Sequence, residues 1–160
     1  MTDPVGKEAV PSIKWACLTQ HHWAPSLAIQ RAGARAWGAA RDMHQGMDIS
    51  TTYTDDVRGM RTTNWPAALP QRALLFDALA INSRFEQEVY FRSPYCLGFS
   101  AKHLRDTAAR IWDAGAGIYI QTEDVLLMPG DELDDIVAAA LRERKAAEMR
   151  DHRAKKAREG

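Results

Sequence analysis

Two cysteines and a histidine pair are the first residues in this chain whose types could do chemistry. Cys17, Cys96, His21 and His22 carry the thiol and imidazole groups that zinc favours in tetrahedral sites. Their spacing is not that of a close ligand set: beyond the adjacent His21-His22 there is no short Cys–Cys or His–His separation, and neighbouring side chains usually point apart. The plainer reading is two small buried cysteines; a redox pair is a third, disfavoured in a reducing compartment. Tyr95, beside Cys96, has the hydroxyl of a tyrosine nucleophile, but a lone tyrosine without a cationic clamp is usually structural. His44 and His103 have no visible partners. The remaining signal is charge, since residues 142–160 hold eight Lys/Arg against four Asp/Glu. Arg150, Arg153, Lys155, Lys156 and Arg158 are candidates for contact with a DNA backbone. Against that stand Glu143, Glu148 and Asp151, which suit a solvated helix end with i,i+4 pairs such as Glu148 with His152.

These residues depend on the elements that hold them. Ile13 to Thr19 is a short apolar run bounded by Pro11 and Gln20-His21-His22, which predicts a buried strand. Ser26 is the expected N-cap of a helix with Ile29, Ala32, Ala36, Trp37 and Ala40 as its apolar stripe. A second strand is expected around Ile49 to Thr54, then an exposed, mobile polar loop over Asp55 to Asn64. Leu69, Ala73, Phe76 and Ala80 fall at helical spacing, and Glu88 to Phe91 is the next strand. Ser100 to Ala114 reads as a helix striped by Leu104, Ala108 and Ile111, with Gly115 placed to end it. Gly117 to Ile120 follows as a strand. Strands alternating with helices predict an α/β fold with a mostly parallel sheet, its site at the carboxyl ends of the strands.

The final segment opens with acids in Asp131-Glu132-Leu133-Asp134-Asp135, which favour a helix N-terminus. Leu133, Ile136, Val137, Ala140 and Leu141 give an apolar face wide enough for the chain's own sheet and a neighbouring helix, so they are the candidate dimer interface. Beyond Arg142 that face nearly disappears, and the helix is expected to project. The expected organisation is a loose leader over 1–12, an α/β domain over 13–130 and a long C-terminal helix over 131–160, with no separate DNA-binding domain.

Composition sets limits on all of this. The 160 residues carry 21 basic and 21 acidic side chains, 46% hydrophobic and 26% charged residues, which excludes global disorder and a chain-wide nucleic-acid coat. No stretch reaches the ~20 apolar residues of a membrane span, and the N-terminus lacks the basic start and apolar run of a signal peptide. A cytoplasmic setting without membrane contact is the expectation, and no cofactor is implied.

The order of segments resembles the catalytic domain of serine site-specific recombinases, the resolvase and invertase family, over roughly residues 13–153. The family's first strand, Tyr-Ala-Arg-Val-Ser, is similar to Trp15-Ala16-Cys17-Leu18-Thr19. Its Ser-Leu-x-x-Gln helix opening matches Ser26-Leu27-Ala28-Ile29-Gln30. The Asp-x-x-Ser-Gly loop and Arg-Pro-x-x-Leu resemble Asp55-Asp56-Val57-Arg58-Gly59 and Trp65-Pro66-Ala67-Ala68-Leu69. Leu-Asp-Arg-Leu-Gly-Arg-Ser aligns with Pro94-Tyr95-Cys96-Leu97-Gly98-Phe99-Ser100, and Pro129 to Arg150 resembles the family's long helix for dimerisation and reach across DNA.

The resemblance implies a recombinase fold stripped of its chemistry. Thr19 stands where the family has its nucleophilic serine, Cys17, Trp65, Cys96 and Phe99 where it has phosphate-clamping arginines, and Tyr95 where it has an active-site aspartate. Phosphodiester attack needs cations against the developing charge, and removing one such stabilising group costs roughly 3–4 kcal/mol. A pseudoenzyme is therefore expected, a homodimer or a partner of another recombinase-like or DNA-bound protein, in recombination control or mobile-element biology. The open alternatives are non-specific DNA binding through the basic helix and a metal or redox site at Cys17, Cys96, His21 and His22, which under this resemblance share or adjoin one pocket. Trp15, Trp37 and Trp112 are expected in the core. Trp65 and Phe99 either close the vacated pocket or form an apolar surface for a partner. Nothing after residue 130 suffices for a base-reading domain, so sequence recognition is expected to need another protein.

Overall fold

A computed structural model describes residues 12–41 and 51–159. The expected leader, except Ser12, lies outside that range, as do Ile49, Ser50, His44 and Gly160. The expected strand over Ile13 to Thr19 is β1 (Ser12–Gln20), whose central residues are buried on both faces. That double burial is why the run is continuously apolar instead of alternating. It pairs in parallel with β2 (Thr52–Asp56) on one side and β3 (Glu86–Phe91) on the other. β4 (Gly117–Ile120) joins β3 in parallel, and the three-residue β5 (Val125–Leu127) closes that edge antiparallel. The sheet order is β2-β1-β3-β4-β5, so the fold is α/β with a mostly parallel five-stranded sheet. In this order the chain reverses direction across the sheet between β1 and β3, and a crevice opens beyond their carboxyl ends.

The helices are α1 (Leu27–Arg41), α2 (Pro70–Ile81), the single turn α3 (Pro94–Leu97), α4 (Ala101–Asp113) and α5 (Asp134–Glu159). One face of the sheet, with Trp15, Cys17, Val89, Phe91, Ile118 and Ile120, packs against α2, α4 and the start of α5. The opposite face, with Ala16, Leu18, Tyr90 and Tyr119, packs against Ala34 and Trp37 of α1. Trp37 lies 5.5 Å from Tyr119, nearly parallel, and 5.6 Å from Tyr90.

Several expected boundaries and stripes shift. Ser26 does cap α1, its Oγ accepting the Ile29 N–H at 3.3 Å. The buried stripe, however, is Gln30, Gly33, Ala34, Trp37 and Gly38, and Ile29 faces solvent. The reason is the small residue Gly33, over which Tyr90 and Gln121 lie so closely that a Cβ would overlap both. In α2 the buried residues are Arg72, Leu75, Phe76 and Leu79, so Ala73 and Ala80 leave the expected stripe. Asp55 and Val57 are buried, against the exposed loop expected from Asp55 onward. Asp55, within β2, also caps α2: its carboxylate accepts the Gln71 and Arg72 N–H groups at 2.8 and 3.0 Å. α4 matches its expected span, with the Ser100 hydroxyl accepting the His103 N–H at 3.1 Å.

The last helix begins at Asp134, not at 131. Asp131 accepts the Met128 N–H in the preceding turn, and Glu132 uses its carboxylate on the Leu133 and Asp134 N–H groups at the helix N-terminus. At 1.5 Å per residue its 26 residues span about 39 Å. No helix among the described residues is long and apolar enough to cross a membrane.

Candidate functional site

The crevice beyond β1 and β3 is built from four pieces: the loop after β1, the loop after β2, α3 with the start of α4, and the middle of α5. At its base β1 delivers Thr19, which is 0% exposed. Gln30 of α1 holds the Thr19 backbone from both sides, its amide oxygen accepting the N–H at 2.9 Å and its amide nitrogen donating to the carbonyl at 2.7 Å. The Thr19 hydroxyl accepts from Arg72 Nη2 at 3.1 Å.

Arg72 is itself 0% exposed. Its guanidinium donates to the carbonyls of Cys96 and Leu97 at 2.6 and 2.7 Å, with Thr107 Oγ1 at 3.4 Å. The faces of Phe91 and Phe99 lie 5.6 and 5.4 Å from it. Burial of a cation demands such pairing, and among the described residues only its Nε lacks an acceptor. Arg72 therefore knits β1, α3 and α4 together, and it is the functional-looking residue that sequence reasoning missed. A signal existed, because Arg72 precedes Leu75 and Leu79 on one helical face, where a cation is out of place unless buried with partners.

Above this base, aromatic rings close the crevice. His21 lies 4.6 Å from Phe99, 5.7 Å from Trp65 and 5.0 Å edge-on from Tyr95. The structure thus gathers Trp65, Tyr95 and Phe99, but around a histidine. His21 Nδ1 accepts the Trp23 N–H at 3.1 Å, which leaves the Nε2 proton for the Tyr95 hydroxyl at 3.2 Å. Burial, then the nearby His22 and Arg144, bring the His21 pKa down to about 4, so the ring is neutral near pH 7. His103 lies behind Phe99, taking the Phe99 N–H on Nδ1 at 3.0 Å. Burial first, then the charge of Arg72, lowers its pKa to about 3.

The two cysteines are both buried and free. Desolvation raises the Cys17 thiol, and it pushes Cys96 up to about 12. Both are therefore protonated thiols near pH 7. His22 is exposed and meets Asp151 of α5 at 3.2 Å. No three His, Cys, Asp or Glu side chains among the described residues converge as a metal would need, so Cys17, Cys96, His21 and His22 do not form a ligand set.

The described residues leave several clefts here, two of which adjoin the site. One, of about 510 Å³, has the aromatic cluster as its floor, with Arg58, Arg61 and Arg144 among the residues lining it. The second, of about 650 Å³, lies between the start of α1, the segments after β3 and β4, and α5, and includes Glu143. Glu143 accepts from Ser93 Oγ at 2.6 Å and from the Tyr95 N–H at 3.0 Å, fixing α5 to the first turn of α3. Burial raises its carboxyl pKa above the usual range.

Leu133, just before α5, and Ile136, Val137 and Ala140 within it are packed into the chain's own core, while Leu141 is 47% exposed. Four of the five candidate dimer residues are thus already occupied within the chain. Arg150, Arg153, Lys155, Lys156 and Arg158 are exposed and make no ion pair among the described residues. Glu148 pairs with Arg144 one turn back, at 2.9 Å, instead of with His152. No protein-family model matches the chain, and no curated protein matches it.

Proposed function

We propose that the chain is a catalytically inactive, serine-recombinase-like protein that acts by dimerising or by docking on a partner in a cytoplasmic, DNA-linked process. One observation carries the inactive part of this reading: the Thr19 hydroxyl is sealed from solvent and bound by Arg72. A nucleophile must reach its phosphorus atom, and cations must face the phosphate oxygens as charge develops. Here the buried cation is spent on two carbonyls and two hydroxyls, and neutral rings stand above it. The docking part draws on the exposed Leu141 and Met149 of the projecting helix, which leave apolar surface available to a second chain.

A second reading, non-specific DNA binding, is favoured by the exposed, unpaired cations at the end of α5. The test is incubation with supercoiled plasmid, alongside sedimentation at tens of micromolar and anisotropy of a labelled duplex at several salt concentrations. Expected results are intact supercoiled DNA, no covalent protein–DNA adduct, and a dimer in sedimentation. Nicking, relaxation or covalent capture overturns inactivity, and a strict monomer overturns self-association. If the second reading holds, binding weakens linearly in log salt and is abolished by Arg153→Glu, Lys155→Glu and Lys156→Glu together.

A further inference from the structure

The cleft over the aromatic floor has a chemistry of its own that neither docking nor DNA tracking by α5 uses. Its floor is built on His21, Trp65 and Phe99, packed within 6 Å of one another; Phe99 is buried beneath, while His21 and Trp65 are partly exposed. Three arginines share the same cleft, and they are differently placed. Arg58 is held by Asp56 through Nε at 3.0 Å and Nη2 at 2.7 Å. Arg144 lies 5.2 Å from the Trp23 ring and gives only its Nε to Glu148, at 2.9 Å. Arg61 is exposed and makes no ion pair among the described residues.

An aromatic floor alone would suit a sugar, a flat heterocycle or a quaternary ammonium group. The arginines exclude the last by like-charge repulsion, and a neutral sugar would leave them unused. A flat ring joined to an anion uses both halves of the site. The volume, about 510 Å³, falls within the range that small-molecule clefts occupy, about 300–1,000 Å³.

We propose that this cleft binds a nucleotide, with the base stacked on Trp65 and His21 and the phosphate taken by Arg61 and Arg144. Stacking of this kind accepts any base because every base has a π-face, so affinity is expected to vary little between purines. His21, neutral near pH 7, contributes a ring face and not a charge. Arg58 carries its carboxylate with it and helps hold the loop after β2. The nucleotide has two sources with one chemistry, a free mononucleotide or an unpaired nucleotide within a DNA strand. The site stands independently of the docking reading, since it uses none of the residues exposed on α5 beyond Arg144.

The experiment is ligand-observed NMR with 2′-deoxyadenosine 5′-monophosphate, using ribose 5-phosphate and inorganic phosphate as base-free controls. A short oligodeoxyadenylate and a blunt duplex form the second arm. Saturation is expected on the adenine protons, with no transfer to ribose 5-phosphate. Trp65→Ala is expected to weaken binding at least about fivefold, as loss of one stacking partner does. Arg61→Gln, on an exposed loop where folding is not at stake, is expected to weaken it severalfold and to lessen its dependence on salt. Equal affinity for mononucleotide and oligonucleotide assigns a soluble ligand. Preference for the single strand, with the duplex silent, assigns an unpaired nucleotide in DNA. The proposal is overturned if neither nucleotide nor single strand binds at millimolar concentration, if the base-free sugar binds as well, or if Arg61→Gln and a folded Trp65→Ala bind like the unaltered chain.

Discussion

A guanidinium sealed from water, with its hydrogen bonds going to carbonyls and hydroxyls, holds its surroundings together because every one of those acceptors is also sealed. Replacing Arg72 by Met leaves the Cys96 and Leu97 carbonyls and the Thr19 hydroxyl without their donor. The expected loss is about 2–4 kcal/mol in urea unfolding, and Arg72→Lys recovers only part of it because an ammonium group lacks the planar fork. His103 makes a pH-dependent contribution. Its folded pKa, about 3, lies below the ordinary 6.5, so the unfolded chain takes up the proton first as pH falls. Stability is therefore full above about 6.5 and declines as pH drops toward 3, by up to about 1.4 kcal/mol per pH unit. His21, at about 4, acts in the same direction over the window from 6.5 to 4. His103→Asn, which can still offer an oxygen to the Phe99 N–H, is expected to flatten the slope of stability between pH 6 and 4. An unchanged slope in denaturant titrations would show that His103 does not carry it.

The turn joining α3 to α4 is where one atom decides an element's position. Gly98 packs directly on the Leu104 backbone, so a Cβ there has no flexible neighbour to displace. Gly98→Ala is expected to cost about 3 kcal/mol or more, read as a lower thermal midpoint, with the Phe99 ring displaced from His21. Elements with local punctuation were legible in the sequence. α4 has Ser100 as its cap and Gly115, at φ 79°, just past its end, while β4 and the centre of β1, Trp15 to Leu18, are uninterrupted apolar runs. The buried face of α1 was not legible, because its apolar Ile29 faces solvent, and in α2 the apolar spacing gave no sign that Arg72 goes in beside Leu75, Phe76 and Leu79. α1 turns inward on Gly33 and Gly38, and α2 turns inward on Arg72, choices set by Tyr90, Gln121 and the Cys96 carbonyl far along the chain. The ring positions Trp65, Tyr95 and Phe99 were nameable through a resemblance. The place of His21 among them was not, since its contact with Tyr95 spans 74 residues and depends on how loops close.

Across the whole molecule the layers are unequal. Three helices share one face of the sheet, whereas the buried cluster on the other draws its helical part from α1 alone among the described residues. Protection against hydrogen exchange should follow that division, as cooperative units open at different free energies. Amides of α1 are expected to exchange through a partial opening well below global unfolding, while those of β3 and β4 wait for the whole domain. Native-state exchange at increasing urea distinguishes the two, and a single shared isotherm would refute the split. Gln30 gives this opening a reach beyond its own helix. When α1 lifts, the Thr19 peptide loses both amide partners and the strand beneath Arg72 is free to breathe. The crevice floor is thus latched from the far side of the sheet, and a substitution that loosens α1 should be felt as faster exchange at Thr19 on the opposite layer.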